Sequence, residues 1–373
     1  MRTRTMGAMA LLALGVSGIA VATTPAQAAG ATCQGHAVTI AATGTGRPVT
    51  GTDGPDVISS VGFTDVTIDA KGGDDIVCAG RDSVIEGGPG ADSFSGVRST
   101  MLAYNVAAAG VQVDLAAGTV VDGGETDTVT GIHAVMGSKY DDTFVGTASR
   151  DTYNSGDYYV AASEDVLVDG DHVAMGAGDD SARVRLGSVD LGAGDDDATV
   201  AGGTVTGGAG DDELYLVTNG VAKGGPGDDS IYPIVSTVDF GLPPQGSRLV
   251  VHGGAGRDVI LHPVVNREGD ACSAVCAVAD LDGGGGRDTL RFVNRGVVDL
   301  AAGRSRTEHG RATLRSFEDV LGSSGPDVIR GDARANRLVG GRGNDVLVGR
   351  GGRDTAIGGP GQDRCAAEVR RTC

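Results

Sequence analysis

The sequence contains no tryptophan, and aromatic residues make up only 3% of its 373 residues. Large globular cores draw much of their buried area from aromatic side chains, so this composition disfavours a single core of that kind. Glycine, in contrast, occurs 65 times. The chain therefore needs a form that buries little aromatic volume, such as a solenoid in which each coil packs only on its neighbours.

Several catalytic and metal-binding motifs are also missing. There is no H-E-x-x-H, no G-x-S-x-G and no Cys-x-x-Cys, and the six histidines are scattered along the chain. These absences exclude the common zinc-protease and serine-hydrolase signatures and disfavour a zinc site. We predict no enzymatic activity, no catalytic residue and no organic cofactor.

Basic residues are comparatively few, with 30 Lys and Arg against 49 Asp and Glu, which gives a formal net charge of −19 at pH 7. This excess of negative charge disfavours nucleic acid as a partner and favours cations.

Long apolar runs are absent except at the N-terminus. Residues 1–28 begin with Arg2 and Arg4, continue through Ala8–Ala22 and end in Ala26-Gln27-Ala28. This order predicts a secretory signal peptide cleaved after residue 28, and therefore an extracellular protein without a membrane span after cleavage. The alternative is an uncleaved anchor, which is disfavoured because the apolar run is short for a span.

A repeat dominates the rest of the chain. Residues 340–365 read GGRGNDVLV GRGGRDTAI GGPGQDRC, which fits the pattern G-G-x-G-x-D-x-U-x, where U is a large apolar residue. Looser copies extend upstream as far as residue 51. The sixth-position residues are Asp56, Asp75, Asp92, Asp142, Asp180, Asp196, Asp212, Asp229, Asp258, Asp288, Asp327, Asn336, Asp345, Asp354 and Asp363.

This pattern resembles the RTX, or haemolysin-type, calcium-binding repeat of secreted bacterial proteins. The resemblance implies an all-β fold, a right-handed parallel β-roll or β-helix solenoid in which two units form one rung. It also implies multiple Ca²⁺ ions between turns one rung apart, for example at Asp327 with Asp345, at Asp345 with Asp363, and on the opposite side at Asn336 with Asp354. Calcium takes about six to eight oxygen ligands, so main-chain carbonyls must complete each shell. All fifteen sixth-position residues are therefore predicted metal ligands.

Two alternatives remain open at this point. A chain rich in Gly and Asp is often a flexible linker, although a linker has no reason to keep a fixed period with an apolar residue in the eighth position. A parallel β-helix can also act on acidic polysaccharides, which would make the protein a lyase or an epimerase. The candidate residues for that activity are Arg183, Arg185, Tyr158, Tyr159 and His309 beside Glu308.

The repeat varies along the chain. The hexapeptide V-D-L-A-A-G occurs at Val113–Gly118 and Val298–Gly303, which indicates one module used twice, with Asp114 and Asp299 in structural roles. Between Asp180 and Asp229 the aspartate turns recur at steps of 16, 16 and 17 residues, which predicts metal turns on one side only.

Alternation in the first of these middle units predicts that Val184 and Leu186 point inward. It predicts that Arg183 and Arg185 point outward. The predicted organisation is a signal peptide at 1–28, an N-terminal cap strand at 29–50, a first β-roll block at 51–147, a one-sided block at 148–250, a β-roll with an inserted loop 262–281 at 251–321, and a regular array with a disulfide-closed tail at 322–373.

Six cysteines in a chain with a secretion signal suggest disulfides, but the sequence does not fix their pairing. Of the possible pairings we prefer the local one, which joins Cys33 to Cys78, Cys272 to Cys276 and Cys365 to Cys373. The sequence thus predicts an extracellular, calcium-binding, structural or adhesive β-roll protein whose partners are calcium ions and a cell-surface or wall polymer. A calcium-dependent polysaccharide-active enzyme is the alternative.

Overall fold

The structure is a computed structural model that describes residues 31–156, 170–236, 247–266, 277–308 and 310–373. Within these ranges the chain forms strands and turns only, so the predicted all-β class is confirmed. No helix in these ranges could cross a membrane. The predicted signal peptide, the Cys272–Cys276 pair, Tyr158, Tyr159 and His309 lie outside the described residues.

The strands are short in the first third of the chain. They are β1 Thr32–Cys33, β2 His36–Ala37, β3 Ile40–Ala41, β4 Val49–Thr50, β5 Val57–Ser59, β6 Thr67–Asp69, β7 Ile76–Cys78, β8 Val84–Glu86, β9 Ser93–Ser95, β10 Met101–Ala103, β11 Gln112–Asp114, β12 Thr119–Asp122, β13 Glu125–Thr130, β14 Ala134–Met136, β15 Thr143–Val145 and β16 Thr152–Asn154.

Several strands in the middle of the chain are much longer, because they run through a corner of the coil. The remaining strands are β17 Asp171–Ala174, β18 Ser181–Ala193, β19 Asp197–Ala209, β20 Glu213–Pro226, β21 Ser230–Ser236, β22 Ser247–Gly256, β23 Val259–Leu261, β24 Val264–Asn266, β25 Ala277–Gly286, β26 Thr289–Arg291, β27 Gly296–Asp299, β28 Arg304–Thr307, β29 Gly310–Arg315, β30 Asp319–Leu321, β31 Val328–Arg330, β32 Arg337–Val339, β33 Val346–Val348, β34 Thr355–Ile357, β35 Arg364–Ala366 and β36 Val369–Arg371.

Two parallel sheets face each other across a thin interior. We call sheet A the stack that contains β5, β7 and β9 near its start and β31, β33 and β35 at its end. Sheet B contains β6, β8 and β10 near its start and β32, β34 and β36 at its end. The long strands β18, β19 and β20 belong to both sheets, since each pairs with its neighbour on both sides of the corner.

The strand register confirms that two repeat units make one rung. In the C-terminal array Ile329 pairs with Leu347, and Leu347 pairs with Cys365. In the middle of the chain the rung is shorter, because Ala182 pairs with Ala198, sixteen positions further on, and Ala198 with Leu214.

The repeated V-D-L-A-A-G module adds antiparallel strands to sheet A. In its first copy the order is β9, β13, β12, β11, β15, with β13 and β11 parallel to their outer neighbours and β12 antiparallel to both. In its second copy the order is β25, β29, β28, β27, β31 with the same orientations. The two copies therefore share one topology, as the shared hexapeptide suggests.

The interior is filled by the eighth-position residues, which alternate with outward-facing neighbours along each strand. Ile58, Leu214, Leu290 and Leu347 are all fully buried. Full burial of an aliphatic side chain stabilises the fold by about 1.5–3 kcal/mol, so a long stack of rungs gathers its stability in small equal steps.

Two details differ from the sequence-based expectation. Arg185 is buried and Leu186 is only partly buried, so their predicted orientations are wrong. The alternation fails there because β18 turns from sheet B into sheet A between Val184 and Gly187. Residues 264–266 and 277–281, predicted to lie in a loop, form β24 and the start of β25, where Ala279 and Leu281 are inward and buried.

The two described disulfides are those expected. Cys33 in the β1–β2 hairpin is bonded to Cys78 in β7, and Gln34 in the same hairpin donates a hydrogen bond to the carbonyl of Ser93 in β9. The hairpin therefore lies along the outer surface of sheet A. Cys365 is bonded to Cys373 at the other end of the coil.

Candidate metal centre

The sixth-position residues form two columns along the coil. Column A precedes the strands of sheet A, and column B precedes those of sheet B. Of the predicted ligands, Asp56, Asp75, Asp92, Asp142, Asp327, Asp345 and Asp363 lie in column A, and Asp180, Asp196, Asp212, Asp229, Asp258, Asp288, Asn336 and Asp354 lie in column B. The structure thus puts Asp180 through Asp229 on one side. On the other side of those rungs, the positions in register with Asp171 are occupied by Gly187 and Gly203.

Consecutive members of a column are joined by a hydrogen bond of constant form. The main-chain amide of one aspartate donates to Oδ1 of the aspartate one rung later, for example from Asp180 to Asp196 at 2.7 Å and from Asp196 to Asp212 at 3.1 Å. The same bond joins Asp327 to Asp345 at 2.8 Å and Asp345 to Asp363 at 2.9 Å. One carboxylate oxygen in each turn is therefore used by the fold.

The second carboxylate oxygen divides the predicted ligands into two groups. In eleven of them Oδ2 is buried and has no hydrogen-bond partner in the described ranges. These are Asp75, Asp92, Asp180, Asp196, Asp212, Asp229, Asp258, Asp288, Asp345, Asp354 and Asp363. We call them the open carboxylates. A buried carboxylate oxygen without a partner is costly, so a group of them in register points to a bound cation.

In the other four predicted ligands the turn itself satisfies the side chain. Oδ2 of Asp56 accepts hydrogen bonds from the amide and hydroxyl of Thr52, and Oδ2 of Asp327 accepts the equivalent pair from Ser323. Asp142 accepts the amide of Ser138 at Oδ2 and the hydroxyl of Ser138 at Oδ1.

Asn336 is the fourth of these closed residues. Its Oδ1 accepts from the amide of Asp332, and its side-chain nitrogen donates to the carbonyl of Glu318 at 3.2 Å. Oδ1 of Asn336 therefore lies where an open carboxylate has Oδ2, since a Cβ on Gly331 would be 2.3 Å from it, and the side-chain nitrogen takes the place of the oxygen that faces the preceding rung.

The residue four positions before each aspartate separates the two groups. In the turns of the open carboxylates it has a positive φ, as at Gly208 (115°), Gly341 (101°), Lys71 (81°) and Arg350 (77°). In the closed turns it is Thr, Ser or Asp. A positive φ favours glycine and turns the amide of this residue away from the carboxylate, so the oxygen stays open.

The surroundings of the open carboxylates fit calcium. A Cβ built on Gly224 would lie 2.0 Å from Oδ2 of Asp229, so only glycine leaves this space empty. A Cβ on Gly225 would lie 2.0 Å from the carbonyl oxygen of Gly208, which shows how closely the stacked carbonyls approach. Within the described ranges no three His, Cys, Asp or Glu side chains converge on one point. The oxygens next to Gly224 are Oδ2 of Asp229 and the carbonyl oxygen of Gly253, and calcium prefers oxygen ligands of these two kinds.

Burial raises the pKa of nine of these carboxyl groups, and neighbouring carboxylates raise it further, at Asp75, Asp92, Asp180, Asp196, Asp212, Asp229, Asp258, Asp288 and Asp345. The hydrogen bond from the preceding rung acts in the opposite direction but is weaker. The pKa rises to about 7 at Asp92, Asp180, Asp212 and Asp258 and to about 6 at Asp75 and Asp229. Without a bound cation, some of the open carboxylates are therefore protonated near neutral pH.

Sequence reasoning missed several members of the columns. Asp127 accepts the amide of Asp92, Asp171 accepts the amide of Asp142, and Asp151 donates its own amide to Oδ1 of Asp180, but the turns of these three residues depart from the glycine pattern. Glu318 and Glu368 extend column B with a longer side chain, accepting the amides of Asp288 and Asp354. An acidic residue two positions before a buried apolar residue would have indicated four of them, but not Glu368, which is followed at that spacing by the exposed Arg370.

In column A, buried tyrosine hydroxyls donate hydrogen bonds to the carboxylates of Asp127 and Asp171. Tyr104 donates to Oδ2 of Asp127 at 3.0 Å, and Tyr153 lies 3.1 Å from Oδ2 of both Asp142 and Asp171. In column B, Asp151 contacts Nδ1 of His133 at 2.6 Å. These positions end the runs of open carboxylates.

The residues considered for other roles lie apart from the columns. Asp114 accepts the amide of Ala117, and Asp299 accepts that of Ala302 and pairs with Arg350, which agrees with structural roles in the module turns. Arg183 is exposed on the outer surface of sheet B.

The two-sheet coil and its stacked aspartate turns define the class of this molecule, an all-β solenoid of the β-roll type. Residues 330–365 match the family of the RTX calcium-binding nonapeptide repeat (4 copies). The C-terminal array thus consists of RTX calcium-binding repeats, as the sequence predicted. No curated protein matches the chain.

Proposed function

We propose that this protein is an extracellular calcium-binding β-roll with a structural or adhesive role, and that the open carboxylates hold several Ca²⁺ ions between stacked turns. The observation that carries the proposal is the buried, unpartnered Oδ2 of eleven aspartates in register. Each ion would take carboxylate oxygen from one or two rungs and carbonyl oxygen from the turns between them. Calcium would neutralise carboxylates that otherwise repel one another.

The open carboxylates suggest where calcium is concentrated. Column B carries six consecutive ones from Asp180 to Asp288, whereas the C-terminal array has Asp345 and Asp363 in column A and Asp354 in column B. We therefore place the longest row of ions along the middle of the coil. The division into blocks at 51–147, 148–250, 251–321 and 322–373 remains part of the proposal.

An extracellular location is supported by the apolar, Arg-flanked N-terminus and by the two disulfides, which persist in oxidising compartments. Secretion would also expose the chain to calcium at concentrations that a weak site can use. A wall or cell-surface polymer is the partner that an adhesive role requires.

A calcium titration of residues 29–373, followed by circular dichroism and calorimetry, tests the proposal. We expect a disordered or loosened chain in chelator, a gain of β signal with calcium, and several ions bound per chain. A chain that is equally folded in chelator and shows no heat of calcium binding would contradict it.

A further inference from the structure

Sheet A carries a group of arginines on the outer surface of the second V-D-L-A-A-G module. Arg304 and Arg306 lie on β28, and Arg311 and Arg315 lie on β29. All four side chains are exposed, while their neighbours Ser305 and Ala312 point into the core. We call these four residues the arginine array.

The array contains a like-charge pair. Arg306 and Arg311 are direct cross-strand partners on antiparallel strands. Side chains in such positions have Cβ atoms about 4.5–5.5 Å apart, and two like charges there destabilise the sheet. The chain has a formal charge of −19, so a cluster of positive charge that destabilises the sheet is unexpected. A role in binding would explain it.

The first copy of the module shows that the fold does not need these arginines. Its equivalent cross-strand pair is Val121 with Thr126, on strands of the same order and orientation. The position that corresponds to Arg304 is Thr119, whose partner is Thr128. The same backbone therefore forms with neutral residues at these positions.

Among the nearby acidic side chains, Asp282 is the cross-strand partner of Arg315 and accepts the amide of Gly284, and two others are paired with arginines outside the array. Asp280 is paired with Arg248 at 2.9 Å and accepts the hydroxyl of Thr313, and Asp299 is paired with Arg350 at 2.6 Å. Within the part of the chain that the structure describes, no member of the array forms an ion pair.

We propose that the arginine array is a binding site for an anionic polymer, a chain with repeated phosphate or carboxylate groups such as a wall or capsular polymer. This inference rests on the proposed extracellular role and names its partner chemistry. Guanidinium groups bind both kinds of anion through paired hydrogen bonds. Residues two apart on a strand are about 7 Å apart and adjacent strands about 4.8 Å apart, so the array offers several charges to one flexible chain.

Charge outside the array favours a flexible polymer over nucleic acid or a membrane. A rigid duplex would extend beyond four arginines and meet the acidic remainder of the protein, whereas a flexible chain can follow the array alone. A membrane would also need exposed apolar side chains to insert into it. Beside the array, Val297 is a large apolar residue in register with Arg306, and it is 46% exposed.

The test uses calcium-loaded residues 29–373 and two probes, poly(glycerol phosphate) and oligogalacturonate, which distinguish phosphate from carboxylate. The variant Arg306→Val/Arg311→Thr introduces the residues of the first module. The control Arg98→Thr/Arg183→Thr removes the same charge from exposed positions outside the array. We expect the array variant to bind at least one probe about tenfold more weakly than the control, because it loses charge-assisted hydrogen bonds.

The reciprocal variant Val121→Arg/Thr126→Arg provides a gain of binding that does not depend on the stability of the second module. Binding should weaken as salt increases. Equal binding by the array variant and the control, or no binding of either probe, would overturn the proposal. Tighter binding to duplex DNA, to phosphatidylglycerol vesicles or to a second copy of this chain would also overturn it. Calcium titrations of the same variants should be unchanged, so a failure here is distinguishable from a failure of calcium-dependent folding.

Discussion

The main-chain amide of Asp229 lies 3.0 Å from Oδ1 of Asp258, whereas Oδ2 of Asp258 is buried without a hydrogen-bond partner among the described residues. The two oxygens of one carboxylate thus have different tasks. Oδ1 joins two rungs, and Oδ2 is left for an ion. This separation means that stacking and metal binding can be altered independently.

Replacing Asp258 tests that separation. Asp258→Asn can keep an oxygen for the amide of Asp229, but it puts a donor in place of Oδ2 and removes the negative charge. We expect it to lose calcium at this turn. Asp258→Ala should lose calcium and also leave the amide of Asp229 without its acceptor, at a further cost of about 1–3 kcal/mol. Calorimetric stoichiometry and thermal unfolding would show both effects; an Asn variant with unchanged stoichiometry would contradict the assignment.

The comparison of Asp345 with Asp114 tests the assignment of the repeat positions. Asp345→Ala should reduce calcium binding, because its Oδ2 is open. Asp114→Ala should not, because Asp114 lies in a hairpin turn and accepts the amide of Ala117. Equal losses in a calcium titration would show that the assignment is wrong.

The residue four positions before the aspartate should decide whether a turn binds calcium. Ser323→Gly allows a positive φ and removes the hydroxyl that satisfies Asp327, so we expect this turn to gain affinity for calcium. Ser323→Ala is the matched control, because it removes the hydroxyl without favouring positive φ. If both variants bind the same number of ions in calorimetry, backbone conformation is not the determinant.

The stability of the calcium-free protein should fall as the pH rises, whereas the stability of the calcium-loaded protein should increase. Burial raises the pKa of Asp258 from 3.8 to about 7, so the folded state binds more protons than the unfolded state between these values. This contribution to stability is complete below pH 3.8 and is lost as the pH rises through about 7.

Calcium requires the ionised form, so its affinity should increase over the same range, with release of protons on binding. Carboxylates whose pKa is lowered by an arginine, such as Asp299, are ionised throughout pH 5–8 and do not disturb the comparison. Thermal unfolding between about pH 5 and pH 8, with and without calcium, measures both trends. A calcium-free protein that becomes more stable as the pH rises in this window would be at odds with the burial of these groups.

The disulfide between Cys33 and Cys78 should hold the N-terminal hairpin against sheet A. It joins residues 45 positions apart, and its removal in Cys33→Ser/Cys78→Ser should cost about 4 kcal/mol on the chain-entropy model. The effect should be local, because each rung contacts only its neighbours.

Limited proteolysis should therefore cut residues near the hairpin faster and leave the C-terminal array intact. The control Cys365→Ser/Cys373→Ser removes the disulfide between two cysteines 8 positions apart and should loosen the C-terminal end of the coil. The same cleavage pattern in both variants would argue against local effects.

Much of the fold was readable from the sequence, because a fixed period with a locked apolar position determines both the rung and its inward face. The C-terminal pairs Asp327 with Asp345 and Asp345 with Asp363 follow from that period together with the resemblance to the RTX repeat, which implies ions between turns one rung apart. The orientation of Arg185 did not follow, since alternation does not show where a long strand turns a corner. The difference between Asp327 and Asp345 also did not follow, because it depends on the φ of one residue and on a hydroxyl in the same turn.

The hydrogen bonds from main-chain amides to column carboxylates point in one direction, to a carboxylate one rung closer to the C-terminus. The coil is therefore polar, with an acceptor end at its start and a donor end at its finish, and the two ends need opposite caps. At the start the hydroxyl of Thr39 donates to Oδ1 of Asp56 at 3.4 Å, and at the finish the carboxylate of Glu368 accepts the amide of Asp354 at 2.8 Å. A rung added at the start would have to bring a donor for this column, and a rung added at the finish would have to bring an acceptor.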